Sequence, residues 1–149
     1  MRAVIQRVQQ ASVRIDGVIH GAIPRGMLIL LGIRNGDTLS DLQWLAEKVV
    51  NLRIFEDQQG KMNRSLADID GEMLIISQFT LYGDCRKGRR PGFSSAAPPE
   101  IAEPLYRRFI EEVKNRQIRV ATGVFQADMK VELVNDGPVT LLLDTEKQF

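Results

Sequence analysis

A short, wholly apolar run in the middle of the chain sets the strongest limit on its fold. Met73-Leu74-Ile75-Ile76 has no polar residue to turn toward water on either face of a strand, which is typical of a strand covered on both sides. Polar residues follow at once, in the motif Ser77-Gln78-Phe79-Thr80-Leu81. We therefore predict a strand buried on both faces, whose end opens into a crevice.

A second motif interrupts a strand-like part of the sequence. In Asn135-Asp136-Gly137-Pro138-Val139-Thr140, a Gly-Pro pair separates the segments 131–134 and 140–143. Proline has no N–H and a fixed φ, so it breaks the hydrogen-bond ladder of a strand. Only about 5–6% of bonds before proline are cis, so the dipeptide alone favours a trans bond in an ordinary turn. A bent backbone here exposes carbonyl oxygens.

Composition indicates one domain and excludes several classes of protein. The chain has 149 residues, which is enough to bury a core, and we expect a single domain over 1–149. Because 20 basic residues nearly balance 19 acidic ones, any contact with nucleic acid must be local. Cys85 is the only cysteine and no apolar run has membrane-spanning length, which predicts a cytoplasmic protein without an internal disulfide or a membrane partner.

The same inventory argues against metal and cofactor chemistry. His20 and Cys85 are the only histidine and cysteine, too few for a His/Cys zinc site. A carboxylate-only site stays open, but no spacing indicates one. The sequence contains no GxxxxGK[ST] phosphate loop, no GxGxxG after a strand and no GxSxG nucleophile turn. We expect a reaction that uses neither a metal nor a cofactor.

Periodicity places the secondary structure. Strands are predicted at 2–9, 11–16, 18–23, 27–31, 72–80, 118–126, 128–135 and 138–144. Apolar residues at helical spacing predict helices over about 38–51 and from Pro98-Pro99-Glu100 to about 115. Residues 57–71 and 82–99 are predicted loops. Strands at both ends with two helices between them indicate an α+β domain on a barrel-like or strongly curved, mainly antiparallel sheet.

The two motifs, together with other segments in the same order, resemble the D-aminoacyl-tRNA deacylases. The other segments are 1–8, Arg53-Ile54-Phe55, Gly60-Lys61-Met62-Asn63, Arg90-Pro91-Gly92-Phe93-Ser94, Leu105-Tyr106, Thr122-Gly123-Val124-Phe125 and Ala127-Asp128-Met129. The resemblance therefore covers nearly the whole chain. It implies a homodimeric hydrolase, without a cofactor, that removes D-amino acids from the acceptor end of tRNA.

The resemblance implies catalytic positions at Ser77, Gln78, Phe79 and Thr80. Backbone N–H groups near this turn would hold the oxyanion, while a ribose hydroxyl of the substrate helps to activate water. The residues alone leave two alternatives open. The Ser77 and Thr80 hydroxyls can satisfy nearby backbone groups, or one can attack an ester if a base lies within reach. The obvious base, His20, lies in a hairpin segment and is expected at the surface.

The resemblance also implies a substrate-binding set. Gly137-Pro138 would form a cis bond whose carbonyl oxygens face the amino acid in the neighbouring subunit's site, so that an L side chain clashes and glycine does not. Arg7 would brace those carbonyls, and Phe125 and Met129 would line an adenosine pocket. Without the resemblance, Arg7 is a solvent-facing strand residue, and core packing explains the other two.

A basic run and two alternative functions complete the sequence predictions. Arg86-Lys87-Gly88-Arg89-Arg90 suits the phosphates of a tRNA acceptor end, and serves solvation equally well. A non-catalytic RNA-binding module of the same fold would need this loop but neither motif. A hydrolase with Thr80 as its nucleophile would make that hydroxyl essential.

Overall fold

The computed structural model describes residues 1–149. The strands are β1 (Arg2–Ile15), β2 (Val18–Ile23), β3 (Gly26–Gly32), β4 (Phe55–Glu56), β5 (Met62–Arg64), β6 (Glu72–Ser77), β7 (Arg119–Thr122) and β8 (Lys130–Asp144). The helices are α1 (Leu39–Val50) and α2 (Pro99–Lys114), with 3₁₀ turns at Ala67–Ile69 and Phe79–Tyr82. Neither helix is long and apolar enough to span a membrane.

The sheet curls until its two ends meet. One edge of β1 pairs with β8, while the other edge pairs with β3 along its first half and with β2 along its second, all antiparallel. From β3 the sheet continues in parallel to β6 and β7. β7 then lies against β2, where a Cβ added to Gly21 would be 2.7 Å from the carbonyl oxygen of Thr122. This confirms the predicted α+β fold on a barrel-like, mainly antiparallel sheet.

The apolar strand β6 is buried on both faces, as its sequence predicts. Met73 and Ile75 belong to the core cluster that includes the buried faces of α1 and α2. Leu74 and Ile76 belong to a second cluster on the other face of the sheet, with Val8 and other residues of β1. Each fully buried side chain of this size stabilises the fold by about 1.5–3 kcal/mol, so both layers hold β6, and thus its end, in place.

Both helices are close to their predicted bounds because local signals define their starts. Thr38 caps α1, since its hydroxyl accepts a hydrogen bond from the Asp41 N–H while the Asp41 carboxylate accepts one from the Thr38 N–H. Pro98 and Pro99 open α2, where a missing N–H and a fixed φ favour the first turn. Phe109 lies on its buried face.

The predicted and observed strands differ most in four places, and the other strand ends agree to within two residues. β1 continues through residue 10, β6 stops at Ser77 before the 3₁₀ turn, β7 stops at Thr122, and β8 runs unbroken through Gly137-Pro138. In β8 the extra residues form a bulge, because one residue of β1 and four of β8 separate the pairs Gln6–Thr140 and Val8–Asn135. Tertiary pairing with β1 on both sides of the bulge keeps the strand continuous.

Candidate active site

A cavity of about 680 Å³ opens at the end of β6. Its lining includes Ser77, Gln78 and Phe79, which follow the buried part of β6, and Phe125 and Met129, which precede β8. Of its eighteen lining residues, twelve are hydrophobic. Pockets of this kind bind an organic ligand through apolar walls and orient it through a few polar groups, so the backbone and the scarce polar side chains must define the chemistry.

The cavity lies where two parallel strands end together. Leu31 of β3 is in register with Ser77 of β6, and the Gln78 N–H donates to the Leu31 carbonyl at 2.7 Å. The carboxyl ends of parallel strands form a crevice at such an edge, because the connections that follow them diverge. The predicted opening after the apolar run is therefore present, and Ser77 lies half-buried at its rim.

The turn after β6 presents backbone donors beside Ser77. Within it, the Leu81 N–H donates to the Gln78 carbonyl at 3.2 Å and the Gly83 N–H to the Thr80 carbonyl at 2.9 Å. Phe79 and Thr80 are the first residues of this 3₁₀ turn, and the first N–H groups of a helical turn have no acceptor inside it. These two N–H groups can therefore stabilise negative charge on a bound ligand.

Thr80 itself is exposed and does not line the cavity. Its hydroxyl accepts a hydrogen bond from the Gln78 side-chain amide, which is a donor and not a base. The single histidine, His20, is exposed on β2. A hydroxyl nucleophile needs a base within hydrogen-bond reach, and the contacts of Thr80 supply none.

Buried contacts fix the aromatic walls. The Tyr106 hydroxyl donates to the Ile75 carbonyl at 2.8 Å in the core, and burial raises the pKa of Tyr106 to about 12, so the phenol keeps its proton. The Tyr106 ring packs on Phe125 with centroids 5.9 Å apart. Two other aromatic rings of the lining, Phe79 and Phe93, meet edge to face with centroids 5.1 Å apart. Paired rings resist reorientation and offer a flat apolar surface to a ligand.

The Gly-Pro motif projects from the other part of β8. The bond between Gly137 and Pro138 is cis, and both residues are exposed and outside the cavity lining. The side-chain amide of Asn135 donates to the carbonyls of Arg7 at 2.9 Å and Val139 at 3.0 Å. The bulge removes hydrogen bonds between β1 and β8, and this one side-chain amide replaces them. It thereby ties the two ends of the projecting segment to β1.

Arg7 lies under the same bulge and is only 5% exposed. Its Nε donates to the Asp136 carbonyl at 3.1 Å, and its Nη1 to the Ile54 carbonyl at 2.7 Å. The carboxylates of Asp136 and Glu56 lie 3.4 and 3.9 Å from the guanidinium. Arg7 therefore contacts the residue before Gly137 and is not the solvent-facing strand residue of the alternative interpretation.

Comparison with known proteins places this site in a family. The sequence model of D-Tyr-tRNA(Tyr) deacylase matches residues 4–144. This chain belongs to the D-Tyr-tRNA(Tyr) deacylase family. The D-aminoacyl-tRNA deacylases of Thermosipho africanus (strain TCF52B) and Desulfotalea psychrophila (strain LSv54 / DSM 12343) are each 60% identical to it over 149 residues, the full length of both chains. Family membership confirms the predicted resemblance and the predicted class, a hydrolase of ester bonds.

A solved structure also resembles this deacylase family member closely. The c-Myc DNA Unwinding Element Binding Protein superposes with a TM-score of 0.91 at 43% identity, over 97% of this chain and 98% of that one. A probable eukaryotic D-amino acid tRNA deacylase superposes with a TM-score of 0.79 at 20% identity, which supports the fold alone. The second superposition covers 95% of this chain and 97% of the other.

The basic run of this deacylase family member lies on an exposed loop beside the cavity. Reciprocal backbone hydrogen bonds of 2.7 and 3.0 Å between Asp84 and Gly92 close the base of the loop, directly before the cavity residue Phe93. Arg86 pairs with Asp84 at 2.7 Å, and its hydrogen bonds hold the pKa of that carboxyl well below its usual range. The other three cations of the run are exposed.

No role was assigned from the sequence to three residues that the structure places at the cavity or the bulge. Tyr106 supports Phe125, Asn135 bridges the bulge, and Gln126 lines the cavity. Asn135 carried a usable signal, because an amide directly before a strand break can replace lost ladder hydrogen bonds. Tyr106 carried none, since its acceptor on β6 is 31 residues away in the chain.

Proposed function

We propose that this protein hydrolyses the ester bond of D-aminoacyl-tRNA and releases the free D-amino acid and the tRNA. The observation that carries the proposal is the pair of backbone N–H groups at Phe79 and Thr80, which open a turn beside an apolar, aromatic cavity. Such a site fits an ester substrate that carries its own hydroxyl group to assist the attacking water, because the site then needs to supply only stabilisation of the oxyanion. We place the reaction in the cytoplasm, in a single domain over 1–149.

The chemistry follows from position and backbone dipoles. The ester carbonyl lies against the Phe79 and Thr80 N–H groups, and the neighbouring ribose hydroxyl of the terminal adenosine orients the attacking water. Each oxyanion donor contributes about 2.7–4 kcal/mol to transition-state stabilisation, so two donors account for a large rate increase without a side-chain base. Ser77 and Gln78 shape the rim, while Phe125 and Met129 hold the adenosine.

Chirality selection in this proposal needs a second copy of the chain. Gly137 is exposed and lies six residues along β8 from the cavity residue Val131, which is about 20 Å of extended strand. Because this distance keeps Gly137-Pro138 away from the cavity of its own protomer, the proposal places it in the cavity of the partner protomer of a homodimer. Its carbonyl oxygens accept hydrogen bonds from the α-ammonium group, and the backbone blocks an L side chain.

Deacylation assays test this proposal directly. We expect rapid release of D-tyrosine from D-tyrosyl-tRNA, slower release of glycine from glycyl-tRNA, and L-tyrosyl-tRNA hydrolysed at least about 100-fold more slowly, because a clash with fixed backbone rejects only the L side chain. The measurement is the loss of labelled amino acid from each tRNA. Light scattering on the same sample should give the mass of a dimer.

Two results would contradict it. A protein that binds tRNA but hydrolyses none of the three esters is the non-catalytic RNA-binding module. A fully active and selective monomer removes the second copy from the site.

The basic loop should bind phosphates of the acceptor stem. We expect the triple variant Lys87→Ser, Arg89→Ser and Arg90→Ser to weaken tRNA binding and to reduce the slope of log Kd against log salt by about 2–3, because each lost phosphate contact removes about 0.7–0.9. The measurement is the Kd for tRNA from low to moderate salt.

A matched control removes the same charge elsewhere. Lys48, Lys61 and Lys114 are exposed and outside the cavity and the loop, and their replacement by Ser should leave the salt slope nearly unchanged. Equal slopes for both triple variants would mean that the loop serves solvation only.

A further inference from the structure

Gln126 has a backbone conformation that its side chain disfavours. Its φ is +66°, in the left-handed region where glycine is favoured and a residue with a Cβ is strained. The turn is closed by a hydrogen bond from the Ala127 N–H to the Val124 carbonyl at 3.2 Å. Non-glycine residues held in this region cluster at ligand sites, where the surrounding structure maintains them. Of the five non-glycine residues with a positive φ, Gln126 is the one that lines the cavity.

The Gln126 side chain lines the cavity next to Phe125. The side chain is exposed and its amide forms no hydrogen bond with another group of the chain, whereas the amide of Gln78, which also lines the cavity, donates to the Thr80 hydroxyl. Phe125 is held by the ring of Tyr106. The cavity thus presents a free donor and a free acceptor beside a fixed aromatic ring.

We propose that Gln126 recognises the adenine base at the 3′ end of the tRNA. Adenine has an amino donor at N6 next to a ring-nitrogen acceptor, N1 on one edge and N7 on the other. A glutamine amide matches this pair, with Oε1 accepting from the amino group and Nε2 donating to the ring nitrogen. The base stacks on Phe125. This inference rests on the proposed function, which brings the aminoacylated end of tRNA to the cavity.

The test pairs one change in the protein with one in the substrate. D-tyrosyl-tRNA is prepared with its terminal adenosine intact or replaced by purine riboside, which lacks the amino group. We expect the unmodified protein to prefer adenosine by about tenfold in kcat/KM, from the loss of one of two hydrogen bonds to the base. Gln126→Gly should lower the efficiency on adenosine and hydrolyse both substrates alike.

Two further measurements exclude a folding defect and separate the donor from the acceptor role of the amide. Gln126→Gly relieves the left-handed strain, so its Tm should not fall, and a loss of adenosine preference cannot then be a folding defect. Gln126→Glu keeps the acceptor and loses the donor. It should therefore keep the preference for the amino group while losing discrimination against the 1-deaza or the 7-deaza analogue, whichever edge the amide contacts.

The outcomes distinguish a failure of the proposed role of Gln126 from a failure of the proposed deacylase function. The same adenosine preference in the unmodified protein and in Gln126→Gly, with D-tyrosyl-tRNA still hydrolysed, overturns the role of Gln126 and leaves the proposed function standing. No hydrolysis of intact D-tyrosyl-tRNA by the unmodified protein overturns both.

Discussion

Replacing Gly137 by Ala is expected to lower kcat/KM for D-tyrosyl-tRNA by at least about 100-fold, the scale on which a displacement of about 1 Å affects catalysis. The φ of Gly137 is +121°, a region that residues with a Cβ rarely adopt. An added Cβ would lie 2.7 Å from Nη2 of Arg7 and 2.9 Å from Cγ2 of Val139. Arg7 is buried and hydrogen-bonded, so the bulge itself must move.

Gly60→Ala is the matched control for this change. Gly60 also has a positive φ, +74°, but an added Cβ would meet no atom within 4 Å. It lies between β4 and β5, outside the cavity lining. We expect a stability loss of about 1 kcal/mol from backbone strain and unchanged deacylation. Normal activity and selectivity in Gly137→Ala would show that the bulge does not act in the reaction.

Arg7→Leu is expected to lower the free energy of unfolding by about 3 kcal/mol, because leaving a buried polar group without its partner costs about 1–3 kcal/mol. The carbonyls of Ile54 and Asp136 both lose their donor. The carboxylates of Asp136 and Glu56 are 30% and 55% exposed, so water compensates them in part. Chemical denaturation with a two-state fit measures the change.

Arg14→Leu is the control that shows whether the stability loss in Arg7→Leu comes from the burial of the guanidinium or from its charge. Arg14 lies on the same strand as Arg7 and likewise pairs with a carboxylate of β8, Glu132, at 2.9 Å. Its pair is largely exposed, and exposed pairs contribute only about 0–1 kcal/mol. Equal losses in the two variants would contradict the buried role of Arg7.

Arg7→Lys tests the functional part of that role. Lysine keeps the charge but lacks the planar fork that reaches two carbonyls at once. We expect the ratio of D-tyrosyl-tRNA to L-tyrosyl-tRNA hydrolysis to fall, because the bulge loses its support on the Asp136 side. An unchanged ratio would leave Arg7 a purely structural residue.

Local sequence patterns were sufficient to predict the helices and strands that depend on interactions between residues close together in the chain. The helical spacing of apolar residues predicts α1 closely, and the paired prolines at its start do the same for α2. The apolar run of β6 predicts burial on both faces, since no register could turn a polar side chain outward. Strand ends were less accurate, because pairing with a neighbouring strand decides where a strand stops.

The site divides in the same way. Residue type alone was enough to predict a polar turn after a buried strand and an irregular backbone at the Gly-Pro pair, because residue type limits burial and backbone hydrogen bonding. Which of these residues meet depends on the tertiary structure. The fold brings Ser77 and Phe125 together around one cavity and places Gly137 and Arg7 outside its lining. It also holds Gln126 in a left-handed backbone conformation. Such contacts join residues far apart in sequence, and only packing and strand register, which depend on the whole chain, bring them together.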